Sequence, residues 1–158
     1  MDSIRFLRIC LFTVLAFAGF MPVTAQVVRG LSPTQADDLK AQIDVLSDQM
    51  RSSNWSSVYS LLDSSFAARW KSRRSFVREM EHGKSAFRGF GIAYLEAEAK
   101  ATAIGGCILV IEGTEEVEYQ GTFAATRDKS GQWKFTGLPK KSPYQIDGGS
   151  IACRKQKW

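Results

Sequence analysis

The chain has little of two residue types that often supply nucleophiles, general bases and metal ligands: it contains one histidine and three cysteines among 158 residues. With His82 alone, it offers no histidine pair for a metal site and no histidine beside a cysteine or serine nucleophile. It also lacks the Gly-x-Ser-x-Gly motif of hydrolases and the glycine-rich loop that cradles phosphates. The sequence therefore gives no support to nucleophilic hydrolysis, and it predicts no cofactor and no metal.

Long apolar runs are absent after residue 25, and the run before it is short. Arg5 and Arg8 precede an apolar stretch over 9–21, and small residues stand at positions −3 and −1 before Gln26. This layout is typical of a secretory signal peptide. The run is too short for a helix that crosses a bilayer, which needs about 20 residues. We therefore expect a signal peptide over 1–25, cleaved near Ala25–Gln26, and a secreted or periplasmic protein without stable membrane insertion.

Acidic residues are outnumbered by basic ones, 16 against 21, which gives a net charge of +5. Loss of the signal peptide lowers this charge by one, to +4. A mild positive charge favours contact with anionic surfaces or acidic partners. It is too small, in an exported protein, to predict a nucleic-acid partner. The densest basic cluster is either a solvated helix face or an anion- or partner-binding surface, and its arginines are Arg69, Arg73, Arg74 and Arg78.

Two of the three cysteines, Cys107 and Cys153, follow the predicted cleavage site. In an oxidising compartment, two cysteines suggest one disulfide. A bridge over this separation would constrain the unfolded chain by about 4 kcal/mol. The alternative is two separate thiols, one in a buried strand and one in a tail.

Helices are predicted in the first half of the mature chain. Ser32–Gln35 combines an N-cap serine, a proline at the first helical position and a capping-box glutamine, and a long apolar stripe follows. A second helix begins at Trp55 and has an irregularity near Asp63. Ser72 caps a third helix, for which Gly83 suits the left-handed C-terminal stop.

The second half predicts an antiparallel sheet. Residues Ile92–Ala103 alternate between small apolar and polar side chains, which indicates one strand, and Gly105–Gly106 then predicts a turn. Cys107–Ile111 is apolar throughout and predicts a central strand. A later alternating strand leads to a hairpin turn at Asp128–Gly131. Residues 140–158 are polar and basic, so the predicted division is 1–25 signal peptide, 26–139 domain and 140–158 C-terminal tail.

Helices followed by such a sheet define an α+β fold, with N-terminal helices packed on a curved, mainly antiparallel sheet. Over about residues 33–138, the pattern of apolar positions and turns matches a known arrangement. The segments that carry it are Asn54–Asp63, Phe66, Arg69, Ser75–Met80 and Ser130–Phe135. In these the chain resembles the nuclear transport factor 2-like superfamily, the cone-shaped, cystatin-like fold shared with ketosteroid isomerase and small polyketide cyclases. Its members include enzymes, ligand binders, dimerisation modules and immunity factors, so the resemblance implies the fold and leaves the function open.

The resembled isomerases abstract a proton with a carboxylate in the mouth of the cone. Here the predicted helix-facing strand positions carry no Asp or Glu, which departs from that pattern. The remaining candidates are Asp63, as the base, and Tyr59, as a hydrogen-bond donor to an oxyanion. The alternatives are that Asp63 caps the turn after it and that Tyr59 is a core residue.

Small side chains on the predicted strand face are the feature that favours ligand binding. Alanines that face a helix either allow close packing or leave an apolar cavity for a hydrophobic small molecule. The predicted lining residues are Trp55, Tyr59, Ala97, Ala99, Ala101, Phe123 and Trp133. We therefore expect a non-catalytic binding domain for a hydrophobic small molecule or a protein partner, as a homodimer through the exposed sheet face. An isomerase- or dehydratase-like enzyme and an immunity or interaction protein with a basic surface are the alternatives.

Overall fold

The computed structural model describes residues 27–82 and 86–145, with side chains described as far as residue 140. The predicted signal peptide, Gly83 and Cys153 lie outside the described residues. The elements are β1 (Val27–Arg29), α1 (Pro33–Arg51), α2 (Trp55–Leu61), α3 (Ser64–Ala67), α4 (Arg73–Glu81), β2 (Ala86–Ala97), β3 (Thr102–Glu112), β4 (Glu115–Arg127), β5 (Trp133–Phe135) and β6 (Lys140–Gln145). The predicted α+β class is confirmed.

Helix α1 begins as its sequence predicts. The Ser32 hydroxyl accepts a hydrogen bond from the Gln35 amide over 3.2 Å, and the Gln35 side chain accepts one from the Ser32 amide over 2.9 Å. The two bonds form a capping box that satisfies two N–H groups at the start of the helix. The predicted stripe is buried and packs on β2; it consists of Ala36, Leu39, Ile43, Leu46 and Met50.

The predicted irregularity near Asp63 is confirmed as a break between α2 and α3. Leu62 has an extended backbone, and the Asp63 amide donates to the Phe135 carbonyl over 2.8 Å. This bond fixes the break against β5, so the short helix α3 begins at a defined place beside the sheet. Ser72 caps α4, and Ser75 completes a second capping box.

The sheet is mixed and open, with strand order β1-β2-β3-β4-β5. The pairing of β1 with β2 is parallel, and all other pairings are antiparallel. Strand β4 pairs with β3 along one side and with both β5 and β6 along the other. Helix α1 covers the inner face of the sheet, and the largest fully buried side chains include Leu39, Phe76, Leu95, Ile104 and Phe135.

The prediction of one strand over Ile92–Ala103 is wrong. Strand β2 ends at Ala97, the chain reverses through 98–101, and β3 begins at Thr102, which is buried. The alternating segment consists mostly of Ala, Glu and Lys, which are depleted in strands, so it reverses direction where no β-branched or aromatic residue holds it extended. The alanines of the predicted strand face therefore do not lie in one row on a single strand.

The predicted turn at Gly105–Gly106 is also wrong, because both glycines lie inside β3. A Cβ on Gly105 would collide with the Tyr94 ring, and a Cβ on Gly106 would collide with the Gly91 carbonyl. Because the two glycines have no side chains, β2 can approach β3 closely at this point. The glycines therefore serve the packing of two strands and do not reverse the chain.

The predicted tail begins with a strand. Residues Lys140–Gln145 form β6, which pairs with β4 through Thr122, Gly121 and Tyr119. The sheet therefore continues past residue 139, where the sequence placed the end of the domain.

Candidate functional site

Two surface clefts border the short helix α3. The larger, here called the Trp70 cleft, has a volume of about 880 Å³. The smaller, here called the Asp63 cleft, has a volume of about 530 Å³ and contains Tyr59, Asp63, Arg73, Asp128 and Lys134. The Trp70 cleft is lined by Phe66, Arg69, Trp70, Glu79, Ala103, Thr122, Phe123, Ala124, Thr136, Gly137, Leu138, Pro139 and Lys140.

One wall of the Trp70 cleft is aromatic and held in place. The Trp70 ring meets Phe66 edge to face at 5.4 Å and the buried Phe76 at 4.8 Å between ring centroids. The Trp70 indole N–H donates to a Glu79 carboxylate oxygen over 2.8 Å. Because three neighbours fix the indole, this wall has its shape before any ligand arrives.

The opposite wall is formed by the connection from β5 to β6. The amide and the hydroxyl of Thr136 both donate to the Ala124 carbonyl, over 2.9 Å and 3.2 Å. These bonds hold the following Leu138 and Pro139 beside β4, where Leu138 also packs against the core. The walls on both sides are therefore largely apolar.

Positive charge lies at this cleft without a matching ion pair. The Arg69 guanidinium stacks over the Phe66 ring at 4.6 Å. Within the described part of the chain, no carboxylate pairs with Arg69 or with Lys140. Glu79 is the acid that lines the cleft, and one of its oxygens accepts the Trp70 hydrogen bond. An anionic group in the cleft would therefore meet two available cations.

The Asp63 cleft brings together the two residues predicted for catalysis. Tyr59 and Asp63 both line it, and the Arg73 guanidinium lies 5.6 Å from the Tyr59 ring centroid. The Lys134 ammonium donates to the Ser60 carbonyl over 3.0 Å. The cleft is thus polar, with cations and carboxylates on its rim.

The Asp63 carboxylate is already used in the fold. It accepts hydrogen bonds from the Ser65 hydroxyl and, over 2.8 Å, from the Ser65 amide. The Ser65 hydroxyl lowers the pKa of Asp63 below its ordinary value of 3.8, and the backbone amides of the first turn of α3 lower it further. The predicted capping role is confirmed. A carboxylate with a lowered pKa is a weaker base than the raised carboxyl that proton abstraction favours.

The predicted ligand-binding residues do not line one cavity. Phe123 lies in the Trp70 cleft and Tyr59 in the Asp63 cleft, whereas Trp55 is half-buried against the core. Trp133 is buried on β5, and its indole N–H has no hydrogen-bond partner among the described residues. The predicted ligand-binding residues are therefore distributed between the two clefts and the core.

The predicted alanines are also apart from both clefts. Ala97 ends β2 beside Gly30, and Ala99 and Ala101 belong to the reversal between β2 and β3, where Ala99 is exposed. Neither cleft includes these three alanines. The predicted hollow depended on a single strand through residue 103, whereas the structure divides that segment between β2 and β3.

Sequence reasoning missed the aromatic pair of the Trp70 cleft. Phe66 and Trp70 are four positions apart, a spacing that brings side chains together on a helical turn. The far wall, with Leu138 and Pro139, carried no such signal because it depends on the path from β5 to β6.

The arginine cluster is divided between the clefts. Arg69 lines the Trp70 cleft and Arg73 lines the Asp63 cleft. Arg74 and Arg78 are exposed on α4, and no ion pair involves them within the described residues. The cluster is therefore not one continuous anion site.

The described residues offer few other kinds of site. Among them, no three His, Cys, Asp or Glu side chains come close enough together to hold a metal ion. Within the same part of the chain, no helix has the length and hydropathy that a membrane span requires. Thr102 is the polar residue buried in the described core, where no carboxylate lies.

No protein-family model matches this chain, and neither a curated protein nor a solved structure matches it. The geometry and charge of the two clefts are therefore the features that point to a function.

Proposed function

We propose that this protein is an exported, non-catalytic binding domain whose Trp70 cleft takes a hydrophobic small molecule that carries a negative charge. The proposal rests on the juxtaposition of a fixed aromatic wall, Phe66 and Trp70, with the Arg69 guanidinium, which forms no ion pair with any described residue. The aromatic wall would bind the apolar part of the ligand. Arg69 and Lys140 would bind its anionic end.

The dimensions and surfaces of the cleft support this assignment. A volume of about 880 Å³ falls within the roughly 300–1,000 Å³ of small-molecule pockets. Removal of apolar ligand surface from water contributes about 25 cal/mol per Å², so a long apolar body supplies most of the affinity. A charge-assisted hydrogen bond from Arg69 adds about 1.5–3 kcal/mol and selects the anion over its neutral analogue.

The state of Asp63 favours binding over catalysis. An isomerase- or dehydratase-like enzyme would use Asp63 as the base beside Tyr59, and both residues do line the Asp63 cleft. The Asp63 oxygens, however, receive the Ser65 hydrogen bonds that lower the pKa of this residue. We infer that Asp63 fixes α3 next to the Trp70 cleft and does not move protons.

We further propose that the fold is the cone of the nuclear transport factor 2-like superfamily. Helices that precede a mainly antiparallel sheet support this arrangement. So do the two irregularities of β2, between Phe87 and Gly89 and between Ile92 and Tyr94, because bulges bend a strand. Export after cleavage near Ala25–Gln26 is part of the same proposal.

The experiment is a titration of the mature protein with dodecanoate and with dodecanol, followed by calorimetry at about pH 7. We expect saturable binding of dodecanoate and weaker binding of dodecanol. Arg69→Gln should weaken dodecanoate binding about tenfold, or roughly 1.4 kcal/mol, and leave dodecanol binding unchanged. Arg78→Gln, which removes an exposed arginine outside both clefts, is the matched control and should change neither. Absence of saturable binding for both compounds would contradict the proposal.

A further inference from the structure

The Asp63 cleft, which the proposed function does not use, holds two carboxylates and two cations. Asp63, Asp128, Arg73 and Lys134 all line it. None of these four side chains forms an ion pair with any described residue, so none of them pairs with another of the four. Opposite charges that line one cleft without contact leave space between them for a ligand that carries both signs.

Each carboxylate is held in the fold through one of its two oxygens. Asp63 Oδ1 accepts hydrogen bonds from the amide and the hydroxyl of Ser65. Asp128 Oδ1 accepts from the Ser130 amide over 2.8 Å, the Ser130 hydroxyl over 2.6 Å and the Gln132 amide over 3.0 Å. The Oδ2 atoms of both residues accept none of these bonds, so each can accept one from an ammonium group of a ligand.

Both carboxylates are ionised near neutral pH. The Ser65 hydroxyl lowers the pKa of Asp63 below its ordinary value of 3.8. The Ser130 hydroxyl does the same to the pKa of Asp128, and the charge of Lys134 lowers it further. With Arg73, the cleft therefore has two negative and two positive charges. A ligand of one sign would be attracted by two of these groups and repelled by the other two.

Both cations are positioned by groups that do not neutralise them. The Lys134 ammonium donates to the Ser60 carbonyl over 3.0 Å, which uses one of its three N–H groups. The Arg73 guanidinium lies 5.6 Å from the Tyr59 ring centroid and donates no hydrogen bond to a described residue. An aromatic face orients a guanidinium and leaves its N–H groups for a carboxylate.

The rest of the lining suits a small apolar group. Leu62 and Ala67 line the cleft and belong to the buried core, and the half-buried Tyr59 ring lies beside Arg73. The cleft volume of about 530 Å³ falls within the roughly 300–1,000 Å³ of small-molecule pockets. A ligand of this cleft therefore combines two opposite charges with a short apolar side chain.

We propose that the Asp63 cleft binds a small zwitterion, namely an α-amino acid with an apolar side chain. The ligand carboxylate accepts hydrogen bonds from Arg73 and Lys134, and the ligand ammonium donates to the Oδ2 atoms of Asp63 and Asp128. These bonds need N–H donors, so a quaternary ammonium would bind more weakly. The ligand of the Trp70 cleft plays no part in this binding.

The first test is a calorimetric titration of the mature protein near neutral pH with L-phenylalanine and with 2-phenylethylamine, which lacks the carboxylate. We expect saturable binding of L-phenylalanine and roughly tenfold weaker binding of the amine. N-acetyl-L-phenylalanine lacks the ammonium, and its single negative charge also suits the Trp70 cleft. It is therefore titrated into Arg69→Gln, where it should bind roughly tenfold more weakly than L-phenylalanine. Absence of saturable L-phenylalanine binding, or equally strong binding of either analogue, would overturn the proposal.

The second test removes charges from the cleft. Arg73→Gln and Asp128→Asn should each weaken L-phenylalanine binding about tenfold. Asparagine retains an oxygen that accepts the turn hydrogen bonds, and circular dichroism checks that the variant is folded. If it is not, Arg73→Gln decides alone, because Arg73 is exposed.

Arg74→Gln, which removes the neighbouring exposed arginine outside the cleft, is the matched control and should change nothing. Unchanged L-phenylalanine binding in Arg73→Gln, or an equal loss in Arg74→Gln, would overturn the proposal. Dodecanoate is titrated in parallel and should bind Arg73→Gln as it binds the wild type. Failure of the Trp70 cleft and failure of the Asp63 cleft are therefore observed separately.

Discussion

The Trp70 indole donates its N–H to the Glu79 carboxylate over 2.8 Å, which ties the loop after α3 to the second turn of α4. The same indole packs edge to face on Phe76, the fully buried side chain that also contacts the Tyr59 ring. One buried ring therefore supports residues of both clefts. The aromatic wall of the Trp70 cleft is fixed from behind by the core and from the side by Glu79.

Trp70→Phe should separate the hydrogen bond from the ring packing. Phenylalanine keeps an aromatic ring against Phe66 and Phe76 and loses the N–H that reaches Glu79. We expect the free energy of unfolding to fall by about 1 kcal/mol, the usual contribution of one hydrogen bond. Urea denaturation measures it, and Glu79→Gln, which retains an acceptor, is the control with a smaller loss. A Trp70→Phe protein as stable as the wild type would mean that the hydrogen bond does not hold the wall.

Asp63→Ala should reduce stability in a way that depends on pH. The cap of α3 is lost, which costs about 1 kcal/mol near pH 7. Because folding lowers the pKa of Asp63 below 3.8, the carboxylate contributes fully above that ordinary value, and its contribution is lost as the pH falls below it. The difference between wild type and variant should therefore shrink in acid. Urea denaturation at about pH 7 and about pH 3 checks this, with the exposed Glu116→Ala as control. A difference that grows in acid would contradict the capping role.

Gly106→Ala should be much more damaging than alanine at a turn glycine. The new methyl group would collide with the Gly91 carbonyl, a backbone atom that cannot rotate away. We expect a loss of about 3 kcal/mol or more, at the upper end for overpacked sites. Gly131→Ala is the control: its φ of 83° is unfavourable for alanine, but no atom lies within 4 Å, so the loss should be about 1 kcal/mol. Thermal or urea unfolding compares them. Similar losses at both positions would show that β2 and β3 are not in close contact there.

The helices could be predicted from the sequence because their signals are local. The capping residues Ser32 and Ser72 and the break near Asp63 each depend on side chains within a few positions of one another. The confirmed hairpin turn at Asp128–Gly131 depends on the same kind of local chemistry, since the Asp128 carboxylate accepts bonds from the Ser130 and Gln132 amides. Such signals can be recognised in a short stretch of sequence because their side-chain partners lie within it.

The reversal of β2 into β3 and the Trp70 cleft could not be predicted in this way. The sequence around Gly105 fits a turn, whereas its pairing with Tyr94 of β2 and Thr122 of β4 makes it a strand position. The cleft likewise needs Arg69 and Leu138 on opposite walls, and their proximity depends on the path from β5 to β6. Long-range register decides both features, and local sequence patterns do not specify it.

The most direct test of the proposed binding function is a nuclear magnetic resonance titration of the indole N–H signals with dodecanoate. Trp70 lines the proposed cleft, whereas Trp55 and Trp133 pack against the core away from both clefts. We expect the Trp70 signal, assigned by its loss in Trp70→Phe, to move in a saturable manner while the Trp55 and Trp133 signals stay in place. A Trp70 signal that does not move at saturating dodecanoate, or movement confined to Trp55 or Trp133, would contradict the proposed binding function.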